Sequence, residues 1–309
     1  MAGQPIRGAH TVAGVPQAGS FDRDDQSELH GGDSASGSIG CAGAGTDCKR
    51  RAASLWWAPL MQRISLAGGC YVIAPGADEF AARGAWHEAW AVNRELGGDA
   101  LSMLRVRITR GRSPMRSFPG SETAIFVIDG KGAVHIGDHR FSVGRHDGIY
   151  VAPHEGFAFD NPDDEPLDLV MTVCPQCAAP EWPEVMPPTF RAAHPERVVS
   201  STKQNRHATA DRFYQLMVDE RVGCATITQF IGMIPLSRAP EHFHHYEETI
   251  AVLSGHGVMW TGESSAPVAA GSLIYLPRGQ KHCLECTDPA GILIAGMFYP
   301  SGSPATRYE

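Results

Sequence analysis

His242-Phe243-His244-His245-Tyr246-Glu247-Glu248-Thr249-Ile250-Ala251-Val252-Leu253-Ser254-Gly255-His256-Gly257 is the stretch that decides the fold. Thr249–Leu253 is a short run rich in apolar and β-branched residues, and Gly255 supplies turn chemistry at its end. Side chains alternate faces along a strand, so His242 and His244 project to the same side. Glu248 follows a short turn and can enter the adjoining strand facing the same interior. Downstream, Gly271-Ser272-Leu273-Ile274-Tyr275-Leu276-Pro277-Arg278-Gly279-Gln280-Lys281-His282 is a strand ended by a proline-glycine corner, which brings the chain back with one more histidine.

The same pattern occurs earlier in the chain. Glu122-Thr123-Ala124-Ile125-Phe126-Val127-Ile128-Asp129-Gly130-Lys131-Gly132 parallels Glu247–Gly257, and Ile149-Tyr150-Val151-Ala152-Pro153 parallels Leu273–Pro277. Each half carries a strand into a glycine turn and then a strand ending in proline. The chain therefore holds two copies of one β-domain. Around these segments lie further short apolar runs separated by turn residues, the pattern of a sandwich or barrel. No sustained helical period is visible; only Asp78–Arg83 has room for a turn or two of helix.

The 309 residues divide by composition. Residues 1–58 are rich in Gly, Ala, Ser and Asp and offset too little ordering entropy by burial, so a disordered tail is expected. Residues 59–175 form the first β-domain, 176–208 a proline-rich interdomain linker, and 209–309 the second β-domain. The net charge of −8 argues against a nucleic-acid partner. No apolar run approaches the roughly 20 residues that span a bilayer. Lys49–Trp57 and Leu66–Cys70 imitate targeting signals but lack the length or the position for them. Eight cysteines are too sparse for a disulfide scaffold, which points to reduced thiols and a cytoplasmic location.

The two segments of the second copy resemble the paired motifs of the cupin superfamily, HxH-x3-E-x6-G and G-x5-PxG-x2-H, with every position matched. The resemblance implies an all-β chain of two double-stranded β-helix (jelly-roll) barrels in tandem. It also implies that His242, His244, Glu248 and His282 bind one divalent metal ion. Imidazole and carboxylate donors suit Fe or Mn first, with Ni or Zn also compatible, and four ligands leave open positions for substrate. Surface polarity on a β-rich domain is the competing reading of these four residues. His245 and Glu247 should turn outward by alternation. In the first copy Ser117, Pro119, Thr123 and about Ala158 stand at the ligand positions. That barrel is expected to be structural or regulatory, and its His135, His139, His146 and His154 to be turn and surface residues.

Two further patterns bear on the site. Cys174-Pro175-Gln176-Cys177 and Cys283-Leu284-Glu285-Cys286 have zinc-like spacing, but residues three apart on a strand face opposite sides, which argues against a shared ion. Phe230, Met259, Trp260, Tyr275 and Cys286 are candidate pocket walls, with core packing as the alternative.

The resemblance implies a metal-dependent enzyme acting on a small organic substrate that chelates the ion. A dioxygenase, similar to bicupin dioxygenases of the quercetinase type, is the leading expectation, with Glu248 as ligand or base. The alternatives are a non-redox Lewis-acid enzyme (isomerase, decarboxylase or ureidoglycine aminohydrolase-like hydrolase) and a binding protein without turnover. The hydrolase family places Glu first and Gln last in its ligand order, where this chain has His242 and His282. A monomer or a homodimer is expected, without nucleic acid or membrane.

Overall fold

The structure is a computed structural model that describes residues 63–76, 79–209, 211–305 and 308. The tail expected over 1–58 lies outside the described residues. Helical structure among the described residues is confined to short 3-10 turns at Ala67–Gly69, Ser201–Lys203 and Glu220–Val222. Among the described residues no helix is long and apolar enough to cross a membrane. The stretch expected to hold a turn of helix carries the strand Ala81–Arg83 instead, paired with Trp86–Val92.

Each β-domain is a barrel of two facing sheets. In the first, a seven-stranded sheet centred on Glu122–Asp129 and Leu167–Cys174 faces a smaller sheet built around Lys131–Ile136 and Gly156–Asn161. In the second, an eight-stranded sheet centred on Glu247–Ser254 and Ile292–Tyr299 faces a three-stranded sheet of His256–Thr261, Ser264–Ala269 and Cys283–Cys286. The turn glycine shared by the two copies has a steric reason. Gly130 and Gly255 have φ of 88° and 83°. A Cβ on Gly130 would lie 2.8 Å from the carbonyl oxygen of Pro166, and one on Gly255 would collide with that of Gly291.

The two large sheets pack against each other. Alternation sends Ile125 and Val127 into the first barrel, while Ala124 and Phe126 face the second barrel. In the second barrel Ile250 and Val252 point inward, and Ala251, Tyr275, Ala295 and Met297 face the first. These strands are buried on both faces, which is why they read as unbroken apolar runs.

Two carboxylates anchor this interface. Glu247 turns out of its own barrel as expected, but the first barrel covers that face and buries the side chain fully. It accepts the backbone N–H groups of Asp99, Ala100 and Leu101 at 2.7, 2.8 and 3.0 Å and the Tyr275 hydroxyl at 2.7 Å. Its counterpart Glu122 accepts the N–H groups of Ala225 and Thr226 at 3.0 and 2.7 Å and the Tyr150 hydroxyl at 2.9 Å. Burial pushes the Glu122 carboxyl up, but the hydrogen bonds from Thr226, Ala225 and Tyr150 outweigh it and hold the group below its ordinary value.

Strands also cross between the halves. Tyr71–Ile73, with Arg63–Ser65 beyond it, pairs with Leu273–Leu276 of the second barrel, although the sequence groups these residues with the first domain. Val198–Ser200, from the proline-rich stretch, pairs with Asp147–Val151 of the first barrel. The part of that stretch before it is strapped to the first barrel, whereas its end, from His207, pairs with Arg212–Leu216 of the second. Arg197 forms two hydrogen bonds with Glu155, at 2.8 and 2.7 Å, and both side chains are fully buried. Glu181 bridges Ser117, and Trp182 packs edge-on against Trp86 at 5.6 Å.

Replacing either buried carboxylate sets an amide N–H2 among N–H donors and leaves desolvated groups unmatched. Glu247→Gln and Glu122→Gln should each lower stability by about 2–4 kcal/mol. Glu95→Gln, at an exposed position, should change it by less than about 0.5 kcal/mol. Urea unfolding of the three variants beside the parent checks this.

Candidate metal centre

His242 and His282 face each other across a two-way backbone bridge. The N–H of each donates to the carbonyl of the other, at 3.1 and 2.9 Å. The N–H of Gly279 donates to the His244 carbonyl at 2.8 Å, which ties the proline-glycine corner to the same segment. The ring centroid of His282 then lies 4.6 Å from those of both His242 and His244. One nitrogen from each of the three imidazoles falls within 4.8 Å of the others. Glu248, at the entry of strand Glu247–Ser254, brings a carboxylate oxygen to 3.7 Å from Nε2 of His244. The structure thus brings together the four residues singled out from the motifs.

The surroundings orient these groups. Nδ1 of His242 lies 3.1 Å from the Pro240 carbonyl oxygen, and Nδ1 of His282 lies 2.8 Å from that of Gln280. A carbonyl oxygen only accepts, so each of these two Nδ1 atoms carries a proton, which makes Nε2 the nitrogen that could ligate an ion. Locking the tautomer through the far nitrogen is the usual outer-shell device of metal-binding histidines. The His244 ring stacks on Tyr246 at 4.1 Å, and Tyr246 stacks on Phe298 at 4.2 Å. The donor set, its burial and its fixed tautomers fit a divalent first-row ion.

Burial dominates the electrostatics. His244, Glu248 and His282 are buried, and His242 is half-buried. Burial pushes the Glu248 carboxyl up to about 8. It pushes the His282 imidazole down to about 4, with the Gln280 carbonyl working the other way and His242 adding to the fall. The four groups line a cavity of about 710 Å3, mouth included, with Phe230, Ile234, Ile250, Met259, Leu284 and Ile294 among its apolar walls.

Phe230 and Met259 are therefore at the cavity, and three other expected wall residues are elsewhere. Met259 points inward, so its neighbour Trp260 points out, where its indole N–H donates to Glu285 at 2.8 Å under the Arg238 guanidinium. Tyr275 faces the other barrel and donates to Glu247. Cys286 shares the inward face of Leu284 but sits deeper in the core, its thiol donating to the Asp288 carbonyl at 3.2 Å. His245 is exposed beside Tyr308. Arg212 and Tyr214 line the cavity without having been singled out from the sequence. The alternation of Arg212-Phe213-Tyr214-Gln215-Leu216 was the available signal, because Tyr214 and Leu216 pack on the barrel's interior core.

At the position of His282 the first barrel has an aromatic ring. Ala158 pairs with His135 as Cys283 pairs with Trp260. The counterpart of His282 is accordingly Phe157, one residue before the Ala158 expected. Phe157 is fully buried against Trp86, Phe118 and Phe159. The Arg116 guanidinium lies 4.1 Å over the Trp182 ring at the same end. His135 bonds to Asp160 at 2.6 Å, and His139 stacks on Phe190 at 3.8 Å.

Comparison with known proteins agrees with this geometry. The family model described as "Cupin domain" matches residues 108–173 and 230–295. No curated protein sequence matches the chain significantly. Among solved structures, protein YlbA of E. coli is similar with a TM-score of 0.61 and 14 % identity, over 78 % of this chain and 96 % of that one. An oxalate decarboxylase of Lactobacillus farciminis in complex with formate has a TM-score of 0.61 and 12 % identity, over 75 % and 87 %. The oxalate decarboxylase of Bacillus subtilis, in a structure described by its Mn(II) centres, has a TM-score of 0.62 and 13 % identity, over 75 % and 78 %. At such identities the likeness is one of fold.

The shifted Glu248 makes the metal-free protein pH-sensitive. Between its ordinary value of 4.5 and about 8, the folded chain keeps a proton that the unfolded chain has released. Stability is therefore full below that window and falls as pH rises through it. The loss between pH 5 and pH 8 should be on the order of a few kcal/mol. Glu248→Gln should abolish it, as read by urea unfolding across that range in the presence of a chelator.

Proposed function

We propose that the chain is a tandem of two cupin barrels, each half matching the cupin domain model, and that its second barrel is a metal-dependent enzyme site, dioxygenase-type in its chemistry. One observation carries the reading: three imidazole nitrogens within 4.8 Å of one another, with the Glu248 carboxylate beside them. A divalent ion bound there would act as a Lewis acid and, if redox-active, give access to oxygen chemistry. His242, His244 and His282 would hold it through nitrogens whose tautomer is set by backbone carbonyls in two of the three cases. Glu248 would supply compensating negative charge as a ligand, or act as a base if it swings off the ion. Phe230, Ile250, Met259 and Leu284 exclude water around the reacting end of a small chelating substrate.

A second reading, non-redox conversion such as decarboxylation, draws support from the likeness to oxalate decarboxylases. In either reading the first barrel serves as a scaffold, with no donor set among its described residues. A monomer or a homodimer fits this reading, the large sheets covering each other within one polypeptide.

His244→Ala should lower manganese or iron(II) occupancy by at least about 100-fold while leaving the β-fold intact, as read by elemental analysis beside circular dichroism. Full occupancy in that variant would overturn the ligand assignment. For the chemistry, oxygen uptake matching substrate loss by the iron-loaded protein supports the first reading. Turnover at an unchanged rate without oxygen supports the second.

A further inference from the structure

The cavity also indicates what it holds. Arg212 lies on the strand Arg212–Leu216, next to the sheet's edge strand His207–Thr209, on the face it shares with Tyr214 and Leu216, and both of those pack on the interior of the second barrel. Its side chain is only 14 % exposed. Nε donates to the carboxylate of Asp211 at 3.3 Å, which leaves the two terminal N–H2 groups of the guanidinium for another partner. Among the described residues that line the cavity, histidines aside, Arg212 supplies the positive charge and Glu248 the negative one. With a divalent ion on the histidines, the cavity would carry an excess of positive charge in a water-poor space. Such charge requires a counter-anion. The remaining walls are mainly apolar, with Phe230, Ile234, Ile250, Met259 and Ile294 among them.

From this we propose that the substrate is a small organic acid, a carboxylate carrying an apolar body, with its carboxylate on Arg212 and its body against the hydrophobic walls. The planar guanidinium fork matches a carboxylate with two parallel hydrogen bonds, which a lysine cannot reproduce. The walls favour a branched or aromatic body, because each buried methylene adds about 0.8 kcal/mol. A dianion without such a body leaves the apolar surface unfilled. The proposal deepens the enzyme reading and rests on it for the positive charge of the ion, whereas the role of Arg212 stands on its own geometry.

The test is calorimetric titration of the manganese-loaded chain with 4-methyl-2-oxopentanoate, its neutral methyl ester and oxalate. The manganese retained by each protein is measured in parallel. The branched acid should bind at least about tenfold more tightly than either the ester or oxalate. Arg212→Gln should lose that advantage over the ester while retaining its manganese, and Arg212→Lys should recover only part of it. Equal affinity for acid and ester in the parent, unchanged acid affinity in Arg212→Gln, or no binding of the acid overturns the proposal. Failure of the parent to retain manganese counts against the enzyme reading instead. Arg212-dependent binding of the acid would survive that result.

Discussion

Two buried carboxylates, each gripped by the backbone of the opposite barrel, are the constraint from which the rest follows. An unpaired carboxylate between packed sheets would be prohibitive, so Glu122 and Glu247 can be buried only where the partner barrel presents its N–H groups correctly. That requirement fixes the docking of the two barrels. It also fixes local register, because Glu247 and Glu248 are consecutive on one strand. With Glu247 held by Asp99, Ala100 and Leu101, alternation turns Glu248 into the cavity. The barrel without a donor set thereby helps to place a donor in the other.

The centre itself is balanced around neutrality. Burial favours a protonated Glu248 and an uncharged His282 in the absence of an ion. An incoming cation would replace a proton on the carboxylate and meet a His282 imidazole already neutral, so binding would be coupled to proton release. The first barrel resolves the same problem differently. Phe157, Trp86 and Phe118 fill the space with rings, Trp182 from the linker region packs edge-on against Trp86, and the Arg116 guanidinium at the same end pairs with Glu88 at 3.2 Å.

Much of this was legible in the primary structure. The repeated glycine turns and proline-ended strands carried the duplication, and the spacing of His242, His244, Glu248 and His282 singled out residues that the structure brings together. What could not be read was which outward face meets water. Glu247, Tyr275 and Trp260 all point out of their barrel by the same alternation. The first two are nevertheless covered by the neighbouring barrel, while Trp260 meets Glu285 and Arg238. Periodicity reports the side of a strand and not what lies beyond it. The same limit hid Arg212, whose strand was legible only from Phe213 onward, and it set the counterpart of His282 one residue too far along, at Ala158 rather than Phe157.

The exchanged strands have a consequence for how this polypeptide can be divided. Tyr71–Ile73 completes a sheet assembled some two hundred residues later, and Val198–Ser200 completes one already behind it. A cut at the proline-rich stretch would not release two self-sufficient modules. Each fragment would take away a strand belonging to the other and leave behind a raw sheet edge, the kind of surface that recruits foreign strands. The molecule is one interlocked object, and the half that holds the donor cluster has no independent existence apart from its silent twin.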